Sequence, residues 1–264
     1  HSTTKSVFGG SAIYLDGSDY LEFAASLTDF SFSGACTFEV WVNLTSIGAQ
    51  YGIMQLGSDG NDGRRLIAFH TTDGFSCNAT APAPAHNINT GLGGIVAGAW
   101  HHVAVTRDSE NVLSIFLDGL LKSSASSISG VLGITGRVIT IGAQYNNSGT
   151  REEFFNGYMD EIRISEGIAR YTPSIERYAN TFVAKGDTGD AFTTLQIQSN
   201  GAKNGASYSD GLNRTGYNTS AVTVTGAPTW VTTGGDPLGG ANTALYFNGV
   251  DEYLSFAASS DFQF

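Results

Sequence analysis

The chain has 264 residues, a formal net charge of −11, 34 glycines and only 14% charged residues. The acidic balance repels phosphate backbones and excludes nucleic acid as a partner, and no apolar run reaches the ~20 residues a membrane helix needs. Two methionines and few leucine, lysine or glutamate residues argue against long helices, whereas abundant Gly, Ser, Thr and Asn point to short strands and tight turns.

Period-two patterns dominate in chain order. Residues 12–15 and 20–23 flank the turn Asp16-Gly-Ser-Asp19 and read as a hairpin-like pair. Residues 36–43 alternate, with Phe38, Val40 and Val42 on one face and Thr37, Glu39, Trp41 and Asn43 on the other. Further strands are predicted at Tyr51–Leu56, 65–70, 100–106, 112–117, 120–124, 138–143 and 157–164. Asp118-Gly119 between two of these runs is a strong hairpin signal. Residues 76–99, with Ala-Pro-Ala-Pro-Ala, read as a long loop. Residues 165–171 read as one helical turn stopped by Pro173. Beyond a linker, 192–198 and 221–225 read as strands. Many short strands at regular spacing predict an all-β fold, a two-sheet antiparallel jelly-roll sandwich.

The end of the chain nearly repeats its beginning. Ala12-Ile-Tyr-Leu-Asp-Gly17 returns as Ala244-Leu-Tyr-Phe-Asn-Gly249, Tyr20-Leu-Glu-Phe-Ala-Ala-Ser26 as Tyr253-Leu-Ser-Phe-Ala-Ala-Ser259, and Asp29-Phe-Ser-Phe32 as Asp261-Phe-Gln-Phe264. Three blocks in register mean one unit of a repeat and the opening of the next. The expected organisation is a jelly roll over 1–175, a linker over 176–190, and a β-rich segment over 191–264. That last segment opens a second repeat or donates a strand for assembly. Thr194, Leu195 and Ile197, with Leu245, Phe247, Leu254 and Phe256 from the repeated blocks, are the candidate assembly residues, and the partners expected are neighbouring copies or adjacent repeats. No secretory leader opens the sequence at His1, so processing or truncation is expected.

Two cysteines leave two readings open: a Cys36–Cys77 disulfide in an oxidising compartment, or two buried thiols. Five Asn-x-Ser/Thr sequons, at Asn43, Asn78, Asn146, Asn213 and Asn218, are ascribed to composition.

Trp100-His-His-Val-Ala-Val-Thr-Arg107, Leu113-Ser-Ile-Phe-Leu-Asp-Gly119 and Gly157-Tyr-Met-Asp-Glu-Ile-Arg-Ile-Ser165 follow Tyr14-Leu-Asp-Gly17 in order. Together they resemble the laminin-G-like branch of the concanavalin A-like lectin/glucanase superfamily over roughly residues 10–172. The resemblance implies a jelly roll that hosts lectins, adhesion modules, glycosidases and structural domains. Ala169-Arg-Tyr-Thr172 resembles the tail of tandem copies in phage and microbial surface proteins, which implies an extracellular, cell-surface or virion location. The resemblance also implies a further strand before the Tyr-Leu-Asp-Gly block, and residues 192–198 are the segment of that type.

A glycosidase on this fold needs carboxylates spaced along one strand to face a cleft. Asp160-Glu161 are adjacent and would point to opposite faces, and Glu39 stands alone on its strand, so no enzyme is expected. His101-His102 would likewise diverge, one into a core and one toward solvent. Calcium is the candidate cation: Asp16 and Asp19 share a turn, and the resemblance brings Asp160 into the same sandwich. The bland alternatives are a turn aspartate bonding its own backbone and a strand-end carboxylate paired with an arginine. Glycan binding needs an aromatic platform beside amides, for which Tyr145, Asn146, Asn147 and Phe154 are the candidates. The primary expectation is a non-enzymatic structural or adhesive module in a repeat-built fibre assembled head to tail. The alternative is a calcium-assisted carbohydrate-binding module.

Overall fold

The computed structural model describes residues 2–7, 11–23, 32–57, 64–79, 86–125, 132, 138–146, 148–172, 192–197, 228–231 and 244–247. All regular structure among them is strand. Two antiparallel sheets pack as a sandwich, as the alternation required. The seven-stranded sheet runs β1 (Ile13–Asp16), β14 (Asn156–Glu166), β3 (Cys36–Leu44), β8 (His101–Arg107), β9 (Leu113–Leu117) and β10 (Leu120–Ala125), with β15 (Thr193–Ile197) also paired to β14. The six-stranded sheet runs β2 (Leu21–Phe23), β11 (Ile139–Ile141), β4 (Tyr51–Leu56), β5 (Arg64–His70), β6 (Gly74–Ala79) and β7 (His86–Asn89). A small hairpin joins β12 (Gln144–Tyr145) to β13 (Arg151–Glu152), and β16 (Pro228–Val231) pairs with β17 (Ala244–Phe247).

The core lies between the sheets. Phe38, Val40 and Val42 of β3 and Val103 and Val105 of β8 share it with Ile53, Leu56, Phe69, Phe75, Ile139 and Ile141 from the opposite sheet. Each such side chain removed from water contributes roughly 1.5–3 kcal/mol. Asp118 and Gly119 take φ of 52° and 81° between β9 and β10, the left-handed pair that a two-residue hairpin requires. The outer face of the seven-stranded sheet is also covered: Ala104, Phe116 and Tyr171 form a second, small apolar cluster there.

Three expectations change. The segments 12–15 and 20–23 are not a hairpin: β1 joins one sheet and β2 the other, so the Asp16–Asp19 turn crosses the sandwich. The stretch 76–99 contains the end of β6 and all of β7, whose Cys77 and Ile88 enter the core while Ser76, Asn78 and Asn87 alternate outward. Residues 165–171 make no helical turn; β14 continues to Glu166, and Thr37 Oγ1 donates to the Ile168 carbonyl at 2.9 Å. Cys36 and Cys77 are both buried and unbridged in the structure.

Strand β15 falls where the sequence places a strand and lies on the same edge of β14 as β1. Strand β1 takes residues 156–159 of that edge and β15 takes 162–165. Ile197 is 3% exposed and belongs to the main core. Leu245 and Phe247 lie in β17, whereas the predicted strand 221–225, Leu254 and Phe256 fall outside the described residues.

Candidate functional site

Of the expected metal ligands, Asp16 and Asp19 stand together in their turn, but Asp160 lies apart from them. Asp16 pairs with Asn156 in the β1–β14 register, while Asp160 lies four residues further along β14, roughly 13 Å away at strand rise. Asp16 Oδ1 accepts from Ser18 N at 2.9 Å and Ser18 Oγ at 2.7 Å, and these bonds lower its pKa. Asp160 is buried and accepts from Val7 N at 3.0 Å and from Glu161 N at 3.0 Å. No group of three His, Cys, Asp or Glu residues able to hold a metal occurs among the described residues. The three aspartates therefore do not form a calcium site together.

The adjacent Asp160 and Glu161 do not diverge as a regular strand would make them. The β14–β3 register shifts between Asp160 and Arg163, Glu161 takes φ 48°, and both carboxylates are buried. This bulge inserts an extra residue and re-aims the side chains around it. Glu39 is not alone either. Its Oε1 accepts from Arg163 Nε at 2.6 Å, and its Oε2 accepts from Tyr171 Oη at 2.7 Å and lies 3.2 Å from His102 Nε2. Burial pushes the Glu39 carboxyl up, but the His102 hydrogen bond and the Arg163 charge outweigh it and hold it at about 2. His101 is buried as well, contrary to the solvated role expected for one of the pair: its Nδ1 lies 2.9 Å from Asp118 Oδ2, and its Nε2 accepts from Val96 N. The outer face of the seven-stranded sheet, which carries Glu39, His102 and Asp160, is closed over by Tyr171 and Val7, whereas His101 faces the opposite sheet with its ring 6.5 Å from that of Phe75.

The six-stranded sheet differs. Because side chains alternate, one residue per strand forms a row across its outer face. Glu22, Thr140 and Gln55 stand opposite one another from β2 to β4, and Asn78 stands opposite Asn87 on β6 and β7, with β5 joining the two groups in backbone register at position 65. The β12–β13 hairpin lies against this face. Gly52 permits that approach, since a Cβ there would meet the Ala143 carbonyl carbon at 2.5 Å. Gln55 fixes the hairpin, its Oε1 accepting from Tyr145 N and its Nε2 donating to Tyr145 O.

Beside the row stands an aromatic and charged rim. The Arg151 guanidinium lies 4.3 Å from the Tyr20 ring centre and 4.8 Å from that of Tyr145. Its Nη2 donates to Glu22 Oε2 at 2.6 Å, and Tyr145 Oη donates to the same oxygen at 2.8 Å. Burial, then the Glu22 carboxylate, pushes the Tyr145 hydroxyl up to about 12. The Tyr20 and Phe154 rings are 6.3 Å apart. Arg151 and Glu22 each keep 30% of their side chains exposed. Arg151 Nε in the rim and Thr140 Oγ1 in the row are buried with no hydrogen-bond partner, as are both amide atoms of Gln144 on β12 and, four strands from Glu22, Asn78 Oδ1 on β6.

Sequence reasoning named part of this rim. Tyr145 and Phe154 belong to it, but Tyr145 is nearly buried and works through its hydroxyl rather than as an open platform. Asn146 is a turn residue: its Oδ1 accepts from Ser148 N and Thr150 N, both at 3.0 Å. Asn147 lies outside the described residues. Tyr20, Glu22, Arg151, Gln55, Thr140 and Gln144 were missed. The available signal was a lone polar residue at the outward phase of an apolar run, as with Gln55 in Tyr51–Leu56 and Thr140 between Ile139 and Ile141.

A shallow depression between the β8–β9 turn and residues 167–172 is lined by Asp108 and Glu110, but Asp108 Oδ1 is occupied by Glu110 N and Val112 N. It offers no comparable chemistry.

A laminin G family model, described as concanavalin A-like lectin/glucanases superfamily, matches residues 15–169, more than half of the chain. The chain belongs to the concanavalin A-like lectin/glucanases superfamily. The chain is also similar to solved structures. A putative carbohydrate binding protein from Bacteroides ovatus is 19% identical with a TM-score of 0.50, covering 72% of this chain and 52% of that one. Domain 4 of an extracellular arabinanase from Geobacillus stearothermophilus, in complex with arabinotriose, is 20% identical with a TM-score of 0.47, covering 62% and 73%. Domains LG4-5 of the mouse laminin alpha1 chain are 15% identical with a TM-score of 0.45, covering 58% and 40%. No match was found among curated proteins. The superfamily covers lectin-like and hydrolytic members alike, so the residues of this chain must distinguish between them.

Proposed function

We propose that the chain is a non-enzymatic, extracellular adhesive module that holds a hydroxyl-rich glycan on the outer face of its six-stranded sheet. One observation carries this reading: the Arg151–Glu22 pair, with 30% of each side chain exposed, stands against the Tyr20 and Tyr145 rings on that face, and the Phe154 ring lies 6.3 Å from Tyr20. Sugar hydroxyls both donate and accept, which suits this mixture of amide, hydroxyl and guanidinium, and sugar rings stack on aromatic faces. The Arg151–Glu22 pair neutralises the rim, which favours a neutral sugar over an anionic one. The non-enzymatic part rests on the carboxylates. A general acid needs a raised pKa and a partner carboxylate across an open cleft. Asp16, Glu39 and Asp118 are all held below their ordinary values, and Glu39 is sealed from solvent.

The test is a glycan array followed by titration calorimetry on the best neutral oligosaccharide. Arg151→Ala and Tyr20→Ala should each weaken binding at least tenfold while leaving the folded signal intact. The same titration repeated in EDTA tests the calcium-assisted alternative. Array silence, or binding that both variants retain, would sink this reading.

A second reading is favoured by the near-repeat of residues 12–32 at 244–264. In it the module is one link of a repeat-built array, held to its neighbours head to tail.

A further inference from the structure

We propose that β15 is an exchangeable edge strand, which completes the sheet of its own module in one state and that of a neighbouring copy in another. The proposal deepens the array reading and is independent of the glycan site. It starts from where β15 comes from. The family match ends at residue 169, yet Thr193–Ile197 lies in the family domain's own sheet. It pairs antiparallel with β14 through Ile162↔Ile197, Arg163↔Gln196, Ile164↔Leu195 and Ser165↔Thr193. Most antiparallel neighbours are joined by hairpin loops of about 2–5 residues. Here the connection runs from Glu166 to Thr193. At roughly 3.3 Å per extended residue it spans enough distance to carry β15 past its own module.

The second observation is that β15 stands ahead of the second repeat. Ala12 and Ala244 are equivalent in the two copies. Ala12 pairs with Ser2, and Ala244 pairs with Val231, so each copy opens with the same antiparallel contact to the segment before it. Strand β15 thus precedes the opening of unit two while completing unit one. A strand that completes one module and leads into the next is a head-to-tail coupling, in which each link fills the edge of the link before it.

The acceptor is specific. It is the half of the β14 edge that β1 leaves uncovered, with a place in the core for Ile197. The strand is also held by side chains: Arg170 Nη2 donates to Thr193 Oγ1 at 3.2 Å, and Arg170 Nε donates to Ser165 Oγ at 2.7 Å. An exchanged β15 would meet the same Arg170 and the same register on a neighbouring copy, because the two copies are identical.

The test uses the full chain with Ser165→Cys and Thr193→Cys, two small residues opposite each other in register. Native Cys36 and Cys77 are buried in the core and stay out of the reaction. The protein is unfolded, refolded at low and at high concentration, oxidised, and run without reductant. The expected result is cross-linked monomer from dilute refolding and a disulfide ladder of dimer, trimer and higher species from concentrated refolding. An excess of a peptide spanning residues 190–199 should collapse that ladder. A ladder that stops at dimer keeps the exchange and overturns the head-to-tail order. Cross-linking confined to monomer at every concentration overturns the proposal, and no cross-link at all overturns the β14–β15 pairing. Sedimentation of the unsubstituted chain after the same refolding gives an independent reading: concentration-dependent oligomers support exchange, and monomer throughout defeats it. Glycan binding by the monomer is unaffected in either case.

Discussion

Glu39 shows how one residue organises a face of the molecule. Its two oxygens meet Arg163, Tyr171 and His102, all nearly or fully buried. A buried ion pair adds little net stability over an apolar substitute, but removing one partner is costly. Glu39→Gln should therefore destabilise the fold by about 3–5 kcal/mol, read from the urea midpoint. The pH dependence follows from the same geometry. The carboxyl titrates at about 2 in the fold against an ordinary 4.5. Its contribution is complete above pH 4.5 and is lost as pH falls through 2, on the order of 3 kcal/mol. Denaturant midpoints measured from pH 6 to pH 2 should show this loss, and Glu39→Gln should flatten that limb of the profile. A limb unchanged by the substitution would assign acid sensitivity to other carboxylates.

At the scale of elements, the site depends on a hairpin lying against a sheet. Strands β12 and β13 carry Tyr145 and Arg151, and their approach is possible because Gly52 has no side chain. Gly52→Ala places a methyl within 2.5 Å of the Ala143 carbonyl carbon, so the hairpin must lift. The expected cost is about 1–3 kcal/mol from overpacking. Binding of any glycan found for the native chain should fall with it, while Gly48→Ala, with only Ser46 Oγ at 3.4 Å, should change neither property. This dependence was not legible in the sequence, where Gly52 reads as one more small residue in an apolar strand. Strands with regular alternation and clear turns were legible: Cys36–Leu44, Tyr51–Leu56, Leu113–Leu117 and the Asp118-Gly119 hairpin all lie close to their predicted places. Strands β6 and β7 were not, because each gives only one or two side chains to the core and shows Ser and Asn on the other phase. The β14 bulge was invisible for a related reason. Period-two reasoning assumes regular backbone, and the positive φ at Glu161 breaks it.

At the scale of the whole molecule, the sandwich was readable from strand spacing, and its family from the order of its motifs. The candidate site was readable only in part, since Tyr20, Glu22, Arg151 and Gln144 come together through the pairing of distant strands. The same long-range logic governs β15, and it yields a test of whether that strand belongs to the sandwich. Ile197 is buried in the core shared by both sheets, although it lies beyond the family match. If β15 is structurally part of the sandwich, Ile197→Ala leaves a cavity there and lowers global stability by about 2–5 kcal/mol. Two-state unfolding would then shift as a whole, with tryptophan fluorescence and far-UV circular dichroism moving together. If β15 instead folded only with the segment that follows it, the substitution would leave the main transition in place. Hydrogen exchange separates these outcomes directly. Amides of β14 at Ile162 and Ile164 should lose protection in the variant, while those of β9, far across the sheet, should lose only what the global change dictates.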